Sequence, residues 1–248
     1  ENHAVGYNSF IGSGYQNQNY SNLSSIVGGY ENKIRSAEGF IGGGKHNVIG
    51  TIDGASYTVY CVIGGGQNNV ISSTGTGQHS VICGGQNNLI RAIGFTYGSF
   101  IGGGINNSIS NNTSVICGGD RNYAIGYSSS LVGGYKNWAY GNLSFIGGGF
   151  NNTASGYAST VICGRINHAK GNRSVVVGGT DNRAFGTNSF IGAGYQNYAK
   201  NSLSIVVGGY YNRVYETGGF IGGGKYNLIR RPTYYSPSIP YSTIGGGN

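Results

Sequence analysis

Residues 144–159 read SFIGGGFNNTASGYAS, and close copies follow as SFIGAGYQNYAKNSLS at 189–204 and GFIGGGKYNLI at 219–229. A triple glycine weakens any strand or helix that contains it, yet here it recurs, with Asn three residues after its last Gly. Aligning the copies on the aliphatic residue before the glycines gives anchors at Ile11, Ile26, Ile41, Ile63, Ile82, Ile101, Ile116, Leu131, Ile146, Val161, Val176, Ile191, Val206, Ile221 and Ile244. Ten of the fourteen steps are 15 residues, and the others are 22, 19, 19 and 23. Gly stands three places after every anchor, from Gly14 to Gly247, and Asn stands six places after each of the first fourteen, from Asn17 to Asn227.

A period of 15 is too short for a helix pair or a propeller blade and is not a heptad multiple. It suits one coil of a parallel β-solenoid, or β-roll, with two short strands and two tight turns. The fold predicted is therefore all-β, a single array over residues 1–248 of about 15 coils, each of about 15 residues. Glycine supplies the positive φ of the turns, and Asn, the next most tolerant residue, is expected to share that conformation. Coils stack about 4.8 Å apart, so successive Asn side chains can bond to one another in a ladder. A second turn is expected at Gly126, Gly141, Gly156, Gly171 and Gly186, ten places after the anchor. Glu1 to Asn8 fit the second half of a coil, so both ends are expected to fall in mid-repeat. The absence of an initiating Met or signal peptide predicts a piece of something longer.

Side chains alternate faces along a strand, so the anchor points into the coil with the slot eight places on: Ile34, Ile49, Ile71, Ile90 and Ile109, then Ala124 to Ala199, then Val214 and Ile229. The residues flanking the anchor point outward, where a polar pattern is expected. Instead Phe10, Phe40, Phe100, Phe145, Phe190 and Phe220 precede anchors, and each has Gly directly after the anchor. Where the leading residue is smaller, as at Ser25, Val81, Val115 and Ser130, the trailing one grows to Val27, Cys83, Cys117 and Val132. Such volume compensation is the behaviour of close-packed surfaces. It predicts that the Phe face meets something else, most simply copies of the same chain.

The repeat S-x-I-G-G-G-x-x-N-x-A-x-G-x-x, over the whole chain, resembles the head repeat of the trimeric autotransporter adhesins, the YadA-type head, whose coils read roughly S-x-A-I-G-x-x-A-x-A-x-G-x-x. The resemblance implies a left-handed parallel β-roll, three copies packing as a homotrimer around a threefold axis, here through the Phe face, and binding host surfaces; similar repeats occur in phage and viral fibres. The chain departs from that pattern in its 15-residue period, its Gly-Gly-Gly and its constant Asn, and it lacks neck, stalk and membrane anchor. The expected function is structural and adhesive, in an extracellular fibre on a virion or cell surface. Cys83 and Cys117 lie two coils apart, beyond disulfide reach, and Cys61 occupies the inward Ser slot. All four cysteines are expected to be buried small hydrophobes, which suits assembly in a reducing cytosol and favours a viral or phage fibre.

Enzymatic chemistry finds little support. The seven acids form no close pair of the kind glycosidases use, apart from the approach open to Glu38 and Asp53 on adjacent coils. His3, His46, His79 and His168 share no metal-ligand spacing, and GGGKHN, beginning at Gly42, lacks the Ser or Thr of a phosphate loop. No metal or cofactor is expected, and the chain is read as a non-enzyme. A β-helix polysaccharide-processing enzyme, an ice-binding solenoid and a ligand-free spacer are the alternatives, although the thirteen threonines form no array.

The net charge of +8 favours anionic partners such as acidic glycans. Arg35, Arg91, Lys170, Lys200 and Arg230 share one outward slot, and Tyr15, Tyr30, Tyr135, Tyr195 and Tyr210 share another. The basic residues are too scattered to predict specific nucleic-acid binding, and no apolar run is long enough to enter a membrane. The long steps insert residues at one corner, at 50–60, 72–79, 91–98 and 230–241. Loops on a rigid scaffold often carry recognition. The predicted receptor-binding residues, for a host glycan or protein, are therefore Tyr57, Tyr60, His79, Arg91, Phe95 and Tyr97, together with Arg230, Arg231, Tyr234, Tyr235 and Tyr241.

Overall fold

The structure, a computed structural model, describes residues 1–50, 59–73, 77–92, 96–230 and 241–248. Its parallel strands stack into a β-solenoid of about 14 turns, with roughly 15 residues to a turn. The chain falls into two compact units, Glu1–Ser128 and Ser129–Asn248. Each unit carries two long sheets of very short strands, one built from the anchor strands and one from the strands that return across the coil, and the first unit adds a two-stranded sheet at its long corners. In the first unit the anchor sheet runs from Phe10–Ile11 to Val115–Ile116 and the return sheet from His3–Ala4 to Tyr123–Ala124. In the second they run from Ser130–Leu131 to Thr243–Ile244 and from Trp138–Ala139 to Leu228–Ile229.

The coil that opens at Ser144 shows how the sequence makes the turn. The strand Phe145–Ile146 pairs in parallel with Thr160–Val161, so like residues lie at like heights in successive coils. The chain then turns at Gly149 (φ +95°), where a Cβ would collide with the carbonyl of Gly164 in the next coil. Phe150 forms an isolated parallel bridge to Arg165, Asn151 takes a left-handed conformation (φ 54°), and the strand Thr153–Ala154 follows. Three ladders therefore run along the unit, seen in the bonds that the amides of Phe145, Phe150 and Thr153 donate to the carbonyls of Ser159, Gly164 and Asn167 at 2.9, 2.9 and 2.8 Å.

The constant Asn does its work inside. Asn152 is completely buried, and its Nδ2 donates to the carbonyls of Gly148 (3.0 Å) and Gly164 (2.9 Å), while its Oδ1 accepts the backbone amide of Asn167 at 2.9 Å. One side chain thus satisfies the Gly148 carbonyl and the Asn167 amide in place of ladder bonds and adds a second bond to the Gly164 carbonyl, which already accepts from Phe150. Two expectations need correction. The positive φ beside the glycine belongs to the residue before the Asn, of whatever type, including Gln16, Glu31, Ile166 and Tyr211. The second corner is likewise turned by Leu143, Ala158, Arg173 and Asn188, not by the glycines ten places after the anchor. Gly156 is needed for space instead, since a Cβ there would overlap the carbonyl of Gly171.

The core is as thin as the period requires. The anchors from Ile26 to Ile221 and the slots from Ile34 to Val214 are all 0–1% exposed. The cysteines are also corrected. Cys61 is buried, and burial pushes its thiol up to about 11, whereas Cys83, Cys117 and Cys163 are exposed. Cys83 and Cys117 follow anchors and so lie on the outer face, and Cys163 lies at the glycine corner.

Candidate functional site

The predicted corner residues divide. Tyr57, Phe95, Arg231, Tyr234 and Tyr235, like Asp53, lie outside the described residues. Tyr60 and His79 are brought together, their rings stacked with centroids 5.1 Å apart and planes within 4°. The Tyr60 hydroxyl bonds the Glu38 side chain, and this bond together with the carboxylate's charge raises its pKa. Gly77–Gln78 pairs with Thr96–Tyr97, so the second and third long corners stack as a ladder. Arg91 stands off this edge, on the return sheet opposite Ser72. In the second unit Tyr241 lays its ring against Gly218 at the corner, and Arg230 is exposed at the end of the return sheet.

A concave surface lies on the return sheet of the second unit and reaches the flanking corners at Asn201, Thr217 and Asn227. One groove is lined by Tyr211, Arg213, Tyr215, Tyr226, Leu228 and Arg230, with Asn201, Thr217 and Asn227. A neighbouring groove, lined by Asp181, Arg183, Phe185, Gln196 and Tyr198, shares Tyr211, Arg213 and Tyr215 with it. Strands of two residues point only one side chain outward, so the outward residues come from the first strand position and from the residue just beyond the strand. Arg183, Tyr198 and Arg213 hold the first position; Lys170, Phe185, Lys200 and Tyr215 hold the second.

The charges here are unevenly paired. Asp181 accepts from Arg183 Nε at 3.1 Å and from Gln196 Nε2 at 2.8 Å. Among the described residues, Lys170, Lys200, Arg213 and Arg230 form no salt bridge. Lys170 Nζ lies 4.9 Å from the Phe185 ring centre, and Lys200 Nζ lies 5.4 Å from that of Tyr215. Burial lowers the pKa of His168, and Lys170 and Arg183 lower it further, with Asp181 opposing them. Burial and the neighbouring Tyr215 raise that of Tyr198. Reading the slots one at a time singled out Lys170, Lys200 and Arg230 but missed Arg183, Arg213 and the tyrosines between them. The signal lay in reading the two outward slots together.

The outer face of the anchor sheet has the opposite character. Phe10, Phe40, Phe100 and Phe145 are 54, 40, 37 and 36% exposed, and Val27, Val132, Ile162 and Val207 are exposed beside them. Each Phe ring folds over the Gly two residues on: the Phe145 Cε1 lies 3.5 Å from where a Gly147 Cβ would sit, and the Phe100 Cε1 lies 3.4 Å from that of Gly102. The compensation in the sequence is thus physical, the ring occupying the space the glycine leaves.

Among the described residues, no three of His, Cys, Asp or Glu are placed to hold a metal ion, and no helix is long and apolar enough to cross a membrane. The chain matches no protein-family model, and no curated protein matches it.

Proposed function

We propose that the chain is a structural and adhesive segment of a trimeric surface fibre, three copies packing through the outer face of the anchor sheet. The observation that carries this reading is the apolar face itself, where phenylalanines a third to a half exposed sit over matched glycines. Contiguous exposed apolar surface of this kind marks an interaction site. A second copy is the natural occupant: rotation about an axis parallel to the stack brings each coil against its own equivalent at the same height, so one repeat solves the contact all along a unit. The resemblance to adhesin heads fits the same assembly, and the exposed free thiols suit fibre assembly in a reducing compartment. The return sheet then faces outward, available to a host-surface ligand.

Phe145→Asp tests the assembly. A charge placed in a dry interface costs several kcal/mol per chain, so the variant is expected to lose the trimer on gel filtration while keeping its strand signature in circular dichroism. Arg213→Gln, on the return sheet, is expected to leave the trimer intact. If both variants elute as the parent does, the anchor face is not the interface. Attachment of the parent segment to host cells tests the adhesive role, and its absence leaves the spacer reading in its place.

A further inference from the structure

Over the five coils from His168 to Arg230, the return sheet of the second unit presents a cation beside a flat or apolar side chain and exchanges their order at every step. The pairs are Arg183 with Phe185, Tyr198 with Lys200, and Arg213 with Tyr215, the first of each at the strand position and the second just beyond it. His168 with Lys170 before them, and Leu228 with Arg230 after them, keep the alternation. The strand register sets Arg183 beside Tyr198, and Tyr198 beside Arg213. Cations in one column, such as Lys170, Lys200 and Arg230, therefore recur every second coil, about 9.6 Å apart at the strand spacing.

Part of this pattern has a plain structural cause, because like charges directly opposite in neighbouring strands destabilise a sheet. Two further features point outward. All five cations are exposed, Arg183, Arg213 and Arg230 of them lining the two adjoining grooves, and only Arg183 has a carboxylate partner among the described residues. The Lys170 and Lys200 ammonium groups lie over the Phe185 and Tyr215 rings, so each lysine charge is held beside an aromatic surface.

We propose that this face is a binding track for an extended anionic polysaccharide whose acidic group recurs at every second sugar. An extended pyranose chain advances about one strand spacing per sugar, so a carboxylate or sulfate on alternate sugars keeps step with cations on alternate coils. The apolar faces of the sugar rings rest on Phe185, Tyr198 and Tyr215, since aromatic rings supply contact area at little entropic cost. A single-stranded nucleic acid fits less well: it places a phosphate at every nucleotide, and here alternate places in each column hold a ring or an aliphatic side chain instead of a cation. The proposal rests on the adhesive reading and names its ligand class.

The test uses a hyaluronan oligosaccharide long enough to span five coils, which carries a carboxylate on alternate sugars, measured by calorimetry against the whole segment. Binding is expected, weakening as salt is added, with no binding of an uncharged chitin oligosaccharide. Lys200→Gln with Arg213→Gln is expected to weaken binding roughly a hundredfold, about tenfold for each charged contact. Lys136→Gln with Arg165→Gln removes the same charge elsewhere in the unit and is expected to change binding less than about threefold. Thermal melts of both pairs confirm folding. The proposal is overturned if the oligosaccharide does not bind, if the control pair weakens it equally, or if poly-dT displaces it at equal concentration. Host-cell attachment without hyaluronan binding defeats this proposal alone. Hyaluronan binding that depends on Lys200 and Arg213, without attachment, supports the track and defeats the adhesive reading.

Discussion

On the anchor sheet, the outward columns on either side of the anchor contain no charged residue from Phe10 to Gly245, whereas the outward columns of the return sheet carry Lys33, Arg35, Arg91, Lys170, Arg183, Lys200, Arg213 and Arg230. Both faces are built by the same coil on the same backbone ladders. They differ in what fills the outward positions: paired volumes on one and, from His168 on, alternating charge and ring on the other. Paired volumes matter only where something packs against them, and cations sit on a surface that water or an anion reaches. On the proposed assembly, the first is the face that is covered and the second the face that is approached.

The largest expected effect removes the frame that both faces share. Asn152→Asp replaces the Nδ2 donor to the Gly148 and Gly164 carbonyls with a buried carboxylate. It should cost roughly 3–5 kcal/mol of stability in denaturant titration. Asn151→Asp, one residue earlier at the half-exposed corner, should change stability by no more than about 0.5 kcal/mol. Equal losses would show that the ladder does not carry the turn.

Thiol chemistry sharpens the contrast between a covered face and an open corner. Cys83 and Cys117 lie on the anchor face and Cys163 at the corner, all exposed in the single chain. In the assembled fibre, maleimide should modify Cys163 quickly and Cys83 and Cys117 roughly tenfold or more slowly. Phe145→Asp should bring the three rates together. Cys61, buried and with its thiol pushed up to about 11, should react only after unfolding in either case.

The smallest effect lies on the open face. Burial and the neighbouring Lys170 and Arg183 hold the His168 pKa below its ordinary value. The folded chain thus resists a proton that the unfolded chain accepts. Above the unfolded pKa, near 6.5, both states are neutral and the residue contributes nothing. As pH falls through that value toward the folded pKa, stability is lost. His168→Gln should therefore show a smaller drop in melting temperature between about pH 7 and about pH 5 than the parent. An identical drop would assign the acid sensitivity to other groups.

The fold was legible because its determinants repeat in fixed columns. Ile146, Gly149 and Asn152 each recur at the same slot, and stacking turns a recurrent column into a ladder. The left-handed corners at Asn151 and Ala158 were not legible, because the flanking Gly and Asn bonds impose that conformation on whatever residue stands there. The Phe–Gly pairing was readable from volumes alone, since both members sit on one strand. The alternation of Arg183, Lys200 and Arg213 escaped a slot-by-slot reading because the cation changes column at every coil. The exposed cysteines were misjudged for a related reason: inward and outward columns carry equally apolar residues when the outer face is itself apolar.

Sedimentation equilibrium of the purified parent segment over a wide dilution range tests most directly whether the anchor face joins copies of the chain. The account predicts a single species of three times 25.8 kDa that persists on dilution. A soluble, stable species of 25.8 kDa at every concentration would contradict it.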